Sequence, residues 1–514
     1  MEGTRKDIFA SILAWASDFD APNIFWLKGH PGVGKSAIAA SLVERLHESK
    51  RLGSKFFFQR ERASVMTPNA LWRIVAYDLA RQYPSIRTRL LATLKENEGI
   101  QTSANIDSLF RQLIREPLMT SEEIPAENLP IVVLDALDEC GGLEGQYSDH
   151  RVSLVRTLRL WSSLPKTFKL IVTGRGETDI EKFFATTNHQ HFEIGVSTTV
   201  DPNSSADVRK FFEQRFQQIA ARYDDALPPD WPGDQNITSL TEKAGGVFIY
   251  AETITRFINR GQPKEQLKRI LAGAEAGGMA KLYSWILNAS FPEPSDEVIE
   301  GFQLIVGAII LAKEPLSISS LVHLYSIDLT TVKHILNGLQ SVMESGNVPR
   351  FSHQSFVDFL INRTECPPLF FIDLQQQSRN LTLACFQVMM KHLRFNICDL
   401  KSSYDRNDDI PDLASRIEEH IPPYLSHSCL FWVDYFKDLA FNAEILEQVE
   451  YFMQNLFLFW LEVLSLTKRV NLGSSILSSL IEWLRVSSTA LHPLEEESDH
   501  FSRLPTRMMQ QRQT

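Results

Sequence analysis

Cysteine is scarce in this sequence, and the positions of its cysteines exclude two kinds of site. The five cysteines among 514 residues are Cys140, Cys366, Cys385, Cys398 and Cys429, and no two of them form a C-x-x-C pair. Zinc sites and disulfide frameworks depend on paired or regularly spaced cysteines. We therefore expect reduced thiols, as in a cytoplasmic protein.

The chain also lacks an excess of positive charge and a long apolar run. Its 52 lysines and arginines against 63 aspartates and glutamates give a formal net charge of −11, whereas nucleic-acid-binding domains normally carry a basic face. Residues 1–20 have no secretory signal pattern. The most apolar stretches, Phe302–Ala312 and Tyr451–Leu466, are respectively too short and too polar to cross a bilayer. We expect neither nucleic acid as the main partner nor a membrane span.

Residues 1–200 alternate short apolar runs with amphipathic segments, after a lead helix over Lys6–Ser17. The predicted strands are Ile24–Leu27, Lys55–Phe58, Ile131–Leu134, Leu170–Thr173 and Phe192–Val196, and the predicted helices between them include Ala70–Tyr83, Ile106–Arg115 and Leu154–Ser163. Short, continuously apolar strands separated by helices indicate a parallel sheet that is covered on both faces. The pattern predicts a doubly wound α/β domain.

Beyond residue 200 the strand signal fades and helical patterns follow. The predicted segments are helices over Ala206–Arg222, Ile237–Asn259 and Gln262–Leu271, then Val298–Ala312, Ser317–Tyr325 and Leu329–Val342, and an extended piece over Asn347–His353. Three short helices closed by an extended piece are typical of a winged helix, and residues 370–487 are predicted to be all helical with an aromatic core. No segment recurs at a fixed period, which excludes repeat arrays.

We therefore predict five regions. They are a nucleotide-binding domain over 1–200, a helical domain over 201–290, a winged-helix-like domain over 291–366, an all-helical domain over 367–487 and a disordered tail over 488–514.

The most informative motif follows the first predicted strand and precedes a helix predicted over Ala37–Leu46. It has the form G-x-x-x-x-G-K-S, in which glycine-rich backbone N–H groups and a helix N-terminus surround phosphate oxygens. A chance glycine turn is the alternative, but the flanking strand and helix argue against it. The residues assigned to nucleotide binding are Gly29, His30, Pro31, Gly32, Val33, Gly34, Lys35, Ser36 and Ala37. Lys35 is expected to reach the β and γ phosphates, and the Ser36 hydroxyl to bind Mg²⁺.

Acidic residues follow the third predicted strand, in the sequence Leu-Asp-Ala-Leu-Asp-Glu. In a phosphate-loop fold the carboxyl end of a strand faces the nucleotide, so Asp135 is predicted to hold Mg²⁺ through water. Either Asp138 or Glu139 is placed to orient or deprotonate an attacking water molecule. The alternative is a strand end that is merely capped by acids on its way into a loop.

Arg175 ends the next strand, in Thr-Gly-Arg. At this position an arginine lies near the γ-phosphate and is expected to respond to its presence. The alternative is a surface ion pair of Arg175 with Glu177 or Asp179, which would contribute little.

These motifs, in this order, resemble the NACHT branch of the STAND signalling NTPases, including the nephrocystin 3-like N-terminal type. Four further segments are similar to the family: Lys243–Ala251 in its helical domain, Phe351–Leu360 at the end of its winged helix, and Tyr424–Trp432 and Phe459–Leu466 in the helical region of its large fungal families. The resemblance covers residues 1–487. Effector and sensor segments of the usual kind are not recognised, which favours a minimal or a truncated member.

The resemblance implies specific contacts. It implies that the Thr173 strand lies between the strands of Gly29 and Asp135, and that the winged helix folds onto bound ADP with His353 touching the β-phosphate. Without the family, His353 would be interpreted as a core histidine. The pair Gly245-Gly246 departs from the glycine-leucine-proline form of plant relatives, so we interpret it as a helix start or kink.

The predicted function is a nucleotide-dependent signalling switch. ADP holds the winged helix on the sheet, exchange for ATP with Mg²⁺ releases it, and hydrolysis is slow; self-association or a signalling protein is the expected partner. The motifs do not distinguish ATP from GTP. A scaffold that holds nucleotide without turnover is the first alternative. An AAA+-type motor is the second, although the acidic balance and the lack of a basic cluster do not favour it.

Overall fold

The computed structural model describes residues 4–120, 130–196, 200, 202–223, 227–273, 278–344, 346–402 and 405–491. The chain divides into two compact units. The first comprises Met1–Ser290, Leu339–Glu344 and Phe351–Phe359, and the second comprises Phe291–Gly338, Ser345–Arg350 and Leu360–Thr514. All of the predicted site residues belong to the first unit.

A parallel sheet forms the centre of the first unit. Its five strands are β1 (Ile24–Gly29), β2 (Leu52–Phe57), β3 (Ile131–Asp135), β4 (Lys169–Gly174) and β5 (Gln190–Ile194). Their order is β2-β3-β4-β1-β5, and the register aligns Leu27 of β1 with Thr173 of β4. The predicted α/β class and the position of the Thr173 strand between those of Gly29 and Asp135 are confirmed.

Helices cover both faces of this sheet. The helices of residues 1–290 are α1 (Lys6–Ser17), α2 (Lys35–Glu48), α3 (Pro68–Gln82), α4 (Pro84–Glu96), α5 (Ile106–Phe110), α6 (Glu116–Thr120), α7 (Asp149–Trp161), α8 (Thr178–Ala185), α9 (Pro202–Tyr223), α10 (Asp234–Ala244), α11 (Phe248–Asn259), α12 (Pro263–Gly273) and α13 (Gly278–Ser290). A π-helical turn, Arg111–Arg115, joins α5 to α6.

Successive side chains of a strand point to opposite faces, and the two cores follow this alternation. Ile24 and Trp26 of β1 pack with α3, α7 and α8, whereas Phe25 and Leu27 pack with α1 and α2. The apolar runs of β1, β3 and β4 are continuous because the sheet is buried on both faces along these strands.

The prediction of a single helix over Ile237–Asn259 is wrong. The structure has two helices there, α10 and α11, because Gly245 adopts a left-handed backbone conformation that ends α10. A new helix then starts at Phe248, which agrees with the interpretation of the glycine pair as a helix start.

Among the described residues after 290, helices are the main secondary structure. Its elements are α14 (Asp296–Leu311), α15 (Ile318–Tyr325), α16 (Leu329–Gly338), β6 (Met343–Glu344), β7 (Arg350–Phe351), α17 (Gln354–Leu360), α18 (Leu374–His392), α19 (Leu413–His420), α20 (Pro423–Phe431), α21 (Ala443–Asn455), α22 (Phe457–Leu466) and α23 (Val470–Leu491). The winged-helix interpretation of residues 291–366 stays a prediction.

Two predicted boundaries in this part are corrected. The helix predicted over Leu329–Val342 ends at Gly338, a poor helix former, and residues 339–342 form a turn. Helix α23 continues to Leu491, past the predicted limit at 487, and the rest of the predicted tail lies outside the described residues.

Aromatic side chains fill the core of the second unit, as predicted. Trp432 and Trp460 are fully buried, and the Trp432 ring lies 4.7 Å from that of Phe452, centroid to centroid. Within the described ranges, no helix has both the length and the apolar character that a membrane span requires.

Candidate nucleotide-binding site

The phosphate-binding motif forms the turn between β1 and α2. Gly32 and Gly34 have positive φ angles of 80° and 95°, which lets the chain reverse before α2 starts at Lys35. The Lys35 ammonium donates hydrogen bonds to the carbonyls of Gly29 (2.8 Å) and His30 (3.0 Å). Burial lowers the pKa of Lys35, although the nearby Asp138 carboxylate opposes this effect. The turn therefore holds a lysine beside the N-terminus of α2, where anions bind.

Two other parts of the first unit hold this turn from outside. The Ile249 N–H, at the start of α11, donates to the Gly32 carbonyl at 3.0 Å. Arg5, which precedes α1, donates from Nη2 to the Val33 carbonyl at 2.9 Å, and its guanidinium lies 5.1 Å from the centre of the Phe248 ring. Sequence analysis missed the role of Arg5, since nothing in its spacing distinguishes it from a surface residue.

The candidate metal ligands lie at the ends of neighbouring elements. Asp135, the last residue of β3, is buried and accepts a hydrogen bond of 2.5 Å from the Thr173 hydroxyl on β4. Burial raises the pKa of Asp135, and hydrogen bonds from Thr173 and Ser36 partly counteract this. Ser36 is therefore close enough to Asp135 to affect its pKa, and their shared role in metal binding stays a prediction.

The donor set of this pair fits Mg²⁺, because a hydroxyl and a carboxylate are hard oxygen ligands. In the part of the chain that the structure describes, no three His, Cys, Asp or Glu side chains converge as metal ligands. A phosphate-loop magnesium site needs only one or two protein oxygens, since phosphates and water complete its coordination.

Asp138 forms an ion pair with the side chain of Arg175 and accepts a hydrogen bond from its backbone. Ala136 takes a left-handed conformation after β3, and the chain then forms the short turn Leu137–Glu139. Asp138 Oδ2 lies 2.9 Å from Arg175 Nε, and Asp138 Oδ1 accepts the Arg175 N–H at 3.1 Å. These contacts hold Arg175 beside the turn that follows β3.

Glu139 is the better placed of the two acids to act as a base. Its Oε2 accepts the Arg60 N–H at 3.1 Å. Burial, helped by the Asp138 charge, raises the pKa of Glu139 to about 7. A carboxyl group with this pKa can take up and release a proton near neutral pH. Of the two candidates for orienting or deprotonating the attacking water, Glu139 is therefore better placed than Asp138. This role stays a prediction.

The alternative interpretation, a surface ion pair of Arg175 with Glu177 or Asp179, is wrong. Glu177 and Asp179 pair with Arg151, whereas the Arg175 Nη1 lies 2.5 Å from Oδ2 of Asp358. Arg175 therefore joins the acidic turn after β3 to the segment Phe351–Phe359 of the same unit.

Arg151 on α7 connects the two loops that carry the candidate catalytic residues. It is fully buried, and its Nη2 and Nε lie 2.8 Å from Glu177 Oε2 and 3.0 Å from Asp179 Oδ2. Its Nη1 donates to the carbonyl of Cys140 at 3.3 Å. The loop after β3 and the loop after β4 are thus fixed to one side chain.

Replacement of Arg151 by methionine should lower the free energy of unfolding by about 2 to 3 kcal/mol. This is less than the loss for a fully buried ion pair, because the side chains of Glu177 and Asp179 are 30% and 24% exposed and water can solvate them in the variant. Urea denaturation of the full chain measures the change.

Arg156→Met is the matched control on the same helix. Arg156 pairs with Asp107, but both side chains are about half exposed, so its loss should cost less than about 1 kcal/mol. Equal losses in the two variants would contradict the connecting role of Arg151.

His353 lies close to the cations of the site and is held in one tautomer. The Ser355 N–H donates to His353 Nδ1 at 3.1 Å, which assigns the proton of the neutral ring to Nε2. Burial, with the positive charges of Arg175 and Lys35, lowers the pKa of His353 to about 4. At neutral pH the ring is an uncharged donor through Nε2, and its predicted contact with phosphate stays a prediction.

The sequence of this chain is similar to those of known proteins. Residues 3–175 match the family described as nephrocystin 3, N-terminal. The vegetative incompatibility protein HET-E-1 of Podospora anserina is 23% identical over 525 aligned residues, which cover 93% of this chain and 36% of HET-E-1. The chain thus spans little more than a third of the length of that relative.

Two solved structures are more distantly similar. A signal transduction ATPase with numerous domains (STAND) and a tetratricopeptide repeat sensor, from Pyrococcus horikoshii, aligns with a TM-score of 0.38 and 13% identity over 94% of this chain and 64% of its own. A Walker-type ATPase of Pyrococcus abyssi aligns with a TM-score of 0.32 and 14% identity over 69% of this chain and 95% of its own. TM-scores below 0.5 do not establish a common overall architecture.

Proposed function

We propose that this chain, whose residues 3–175 belong to the NACHT-type P-loop NTPases, is a nucleotide-dependent signalling switch. It binds ATP or ADP with Mg²⁺, hydrolyses ATP slowly and changes its self-association with the nucleotide state. One observation carries the proposal: the ion pairs from Asp138 to Arg175 and from Arg175 to Asp358 join the nucleotide loops to the segment Phe351–Phe359.

In this proposal the chain distinguishes a triphosphate from a diphosphate through competition for Arg175. A guanidinium binds carboxylate and phosphate oxygens with the same planar geometry. Arg175 follows β4, whose carboxyl end adjoins the phosphate loop at the end of β1. A terminal phosphate would therefore compete with Asp358 for Arg175 and would weaken the attachment of the segment Phe351–Phe359. A diphosphate would leave that attachment in place.

The other residues have separate tasks in this proposal. Lys35 and the first turn of α2 bind phosphate oxygens, and Ser36 with Asp135 binds Mg²⁺, which screens phosphate charge when it is bound. Glu139 accepts a proton from water, and the buried carboxyl is suited to this at neutral pH. His353 donates from Nε2 to the diphosphate. We place the protein in the cytoplasm and expect a second copy or a signalling protein as its partner.

Identification of the nucleotide released from the purified full chain tests the proposal, by mass spectrometry after denaturation. Co-purified ADP, followed by slow ATP turnover once it is exchanged, is the expected result. Bound nucleotide without any turnover would favour a non-catalytic scaffold instead. An empty protein that binds neither ADP nor ATP would overturn the proposal.

His353→Ala should release ADP faster than the parent, while the release of ATP changes little. A hydrogen bond to a charged group contributes about 1.5 to 3 kcal/mol, so we expect the rate of ADP release to rise about tenfold or more. Stopped-flow fluorescence with labelled ADP and ATP measures both rates. His47→Ala, an exposed histidine at the end of α2, serves as the control. Equal changes for the two nucleotides would remove His353 from the switch.

A further inference from the structure

A second arginine lies beside the acidic turn, and sequence analysis did not single it out. Arg60 begins the short helical turn Arg60–Arg62 that follows β2. Its backbone N–H donates to Glu139 at 3.1 Å, and its side chain is only 13% exposed. Since the strands are parallel, the end of β2 lies at the same edge of the sheet as the phosphate loop.

The carboxylate of Asp358 is held between two arginines from different loops. Arg60 Nη1 lies 3.3 Å from Asp358 Oδ1, and Arg175 Nη1 lies 2.5 Å from Asp358 Oδ2. Gln354 Nε2 also donates to Oδ1, at 3.3 Å. Strand β3 lies between β2 and β4, so the two arginines flank the strand that ends in the candidate metal ligand Asp135.

The balance of positive and negative charge in this cluster depends on Asp358. Arg60 and Arg175 carry two positive charges, and Asp138 with Asp358 balances them. Removal of Asp358 would leave two partly buried guanidinium groups with one carboxylate partner, which is unfavourable unless another anion takes its place. Both arginines would then have donors free for such an anion, because each uses a terminal nitrogen on Asp358.

We propose that Arg60 is a second phosphate-sensing arginine, which binds the terminal phosphate of a nucleoside triphosphate together with Arg175 when Asp358 leaves. The Asp358 carboxylate thus occupies, in this arrangement, the place of a phosphate between the two guanidinium groups. This inference rests on the proposed function, since it requires that the chain binds a triphosphate. It extends the site to the loop after β2. The terminal phosphate and the Asp358 carboxylate then compete for two arginines, Arg60 and Arg175.

Variants made in the Asp358→Asn background, with the parent as reference, test the role of Arg60. The affinities of ADP and of a non-hydrolysable ATP analogue, both with Mg²⁺, are measured by calorimetry on the full chain. The variants are Asp358→Asn alone and Asp358→Asn combined with Arg60→Gln, Arg60→Lys or Arg62→Gln. Asp358→Asn removes the carboxylate partner, so any further loss from Arg60→Gln reports a contact with the nucleotide.

We expect Asp358→Asn to bind the triphosphate analogue more tightly than the parent does. Arg60→Gln in that background should weaken the analogue about tenfold or more and leave ADP within about twofold, which also shows that the variant is folded. Arg60→Lys should keep part of the affinity because it keeps the charge. Arg62→Gln, an exposed arginine of the same turn, should change neither ligand.

Two failures are distinguishable. If the parent and Asp358→Asn bind neither nucleotide, the proposed function is wrong. If both bind the analogue but Arg60→Gln has no effect in the Asp358→Asn background, Arg60 is only a structural partner of Asp358 and the inference is overturned.

Discussion

Replacement of Lys35 by alanine should abolish nucleotide binding by the full chain. The lysine is the cation held within the phosphate loop, where it bonds to the carbonyls of Gly29 and His30. On a nucleotide it would exchange these neutral acceptors for phosphate oxygens, each a charge-assisted hydrogen bond of about 1.5 to 3 kcal/mol. The loss of two such bonds weakens binding by about two to four orders of magnitude.

Calorimetric titration with ADP and ATP, and mass spectrometry of co-purified nucleotide, measure this loss. Lys28→Ala is the control, because Lys28 lies on the same strand but pairs with Glu181 and Glu193. Bound ADP in the parent and in Lys28→Ala, with none in Lys35→Ala, is the expected pattern. An affinity of Lys35→Ala equal to that of the parent would remove the phosphate loop from the site.

The strands and the phosphate loop were predictable because their signals are local. The three central strands β1, β3 and β4 each contain a short apolar run, and the loop residues are consecutive in sequence. The helix break at Gly245 was missed because apolar residues continue at helical spacing on both sides of it. Two adjacent glycines were the available signal, and their backbone conformation decided the outcome.

The contacts that would make the site a switch were not predictable from one sequence. Arg60 and Asp358 are 298 positions apart, and Arg175 and Asp358 are 183 positions apart. Nothing local distinguishes Arg60 and Asp358 from solvent-exposed residues, and the strand-end position that singled out Arg175 did not reveal its partner, since the pairing depends on how the chain returns to the sheet. The resemblance to a family supplied the strand order and His353, whereas the arginine partners of Asp358 emerged only from the structure.

Gly32→Ala should lower the free energy of unfolding by about 2 to 5 kcal/mol and prevent nucleotide binding. Gly32 has a φ of +80°, and an added Cβ would lie 2.0 Å from Cγ2 of Ile249. The left-handed backbone costs an alanine about 1 to 2 kcal/mol, and overpacking costs about 1 to 3 kcal/mol more. The Ile249 N–H bond to the Gly32 carbonyl prevents α11 from moving away without a further loss.

Urea denaturation of one control variant and one double variant distinguishes the backbone cost from the cost of the steric overlap with Ile249. Gly278 has a φ of +82°, close to that of Gly32, and nothing within 4 Å of an added Cβ, so Gly278→Ala should show only the backbone cost of about 1 to 2 kcal/mol. Ile249→Ala combined with Gly32→Ala should recover part of the stability lost in Gly32→Ala, because it removes the Cγ2 contact at 2.0 Å and leaves only the Cβ of residue 249, at 2.9 Å. Equal losses for Gly32→Ala and Gly278→Ala would mean that the start of α11 moves aside at no cost. The phosphate loop would then not depend on its contact with the helical segment after the sheet.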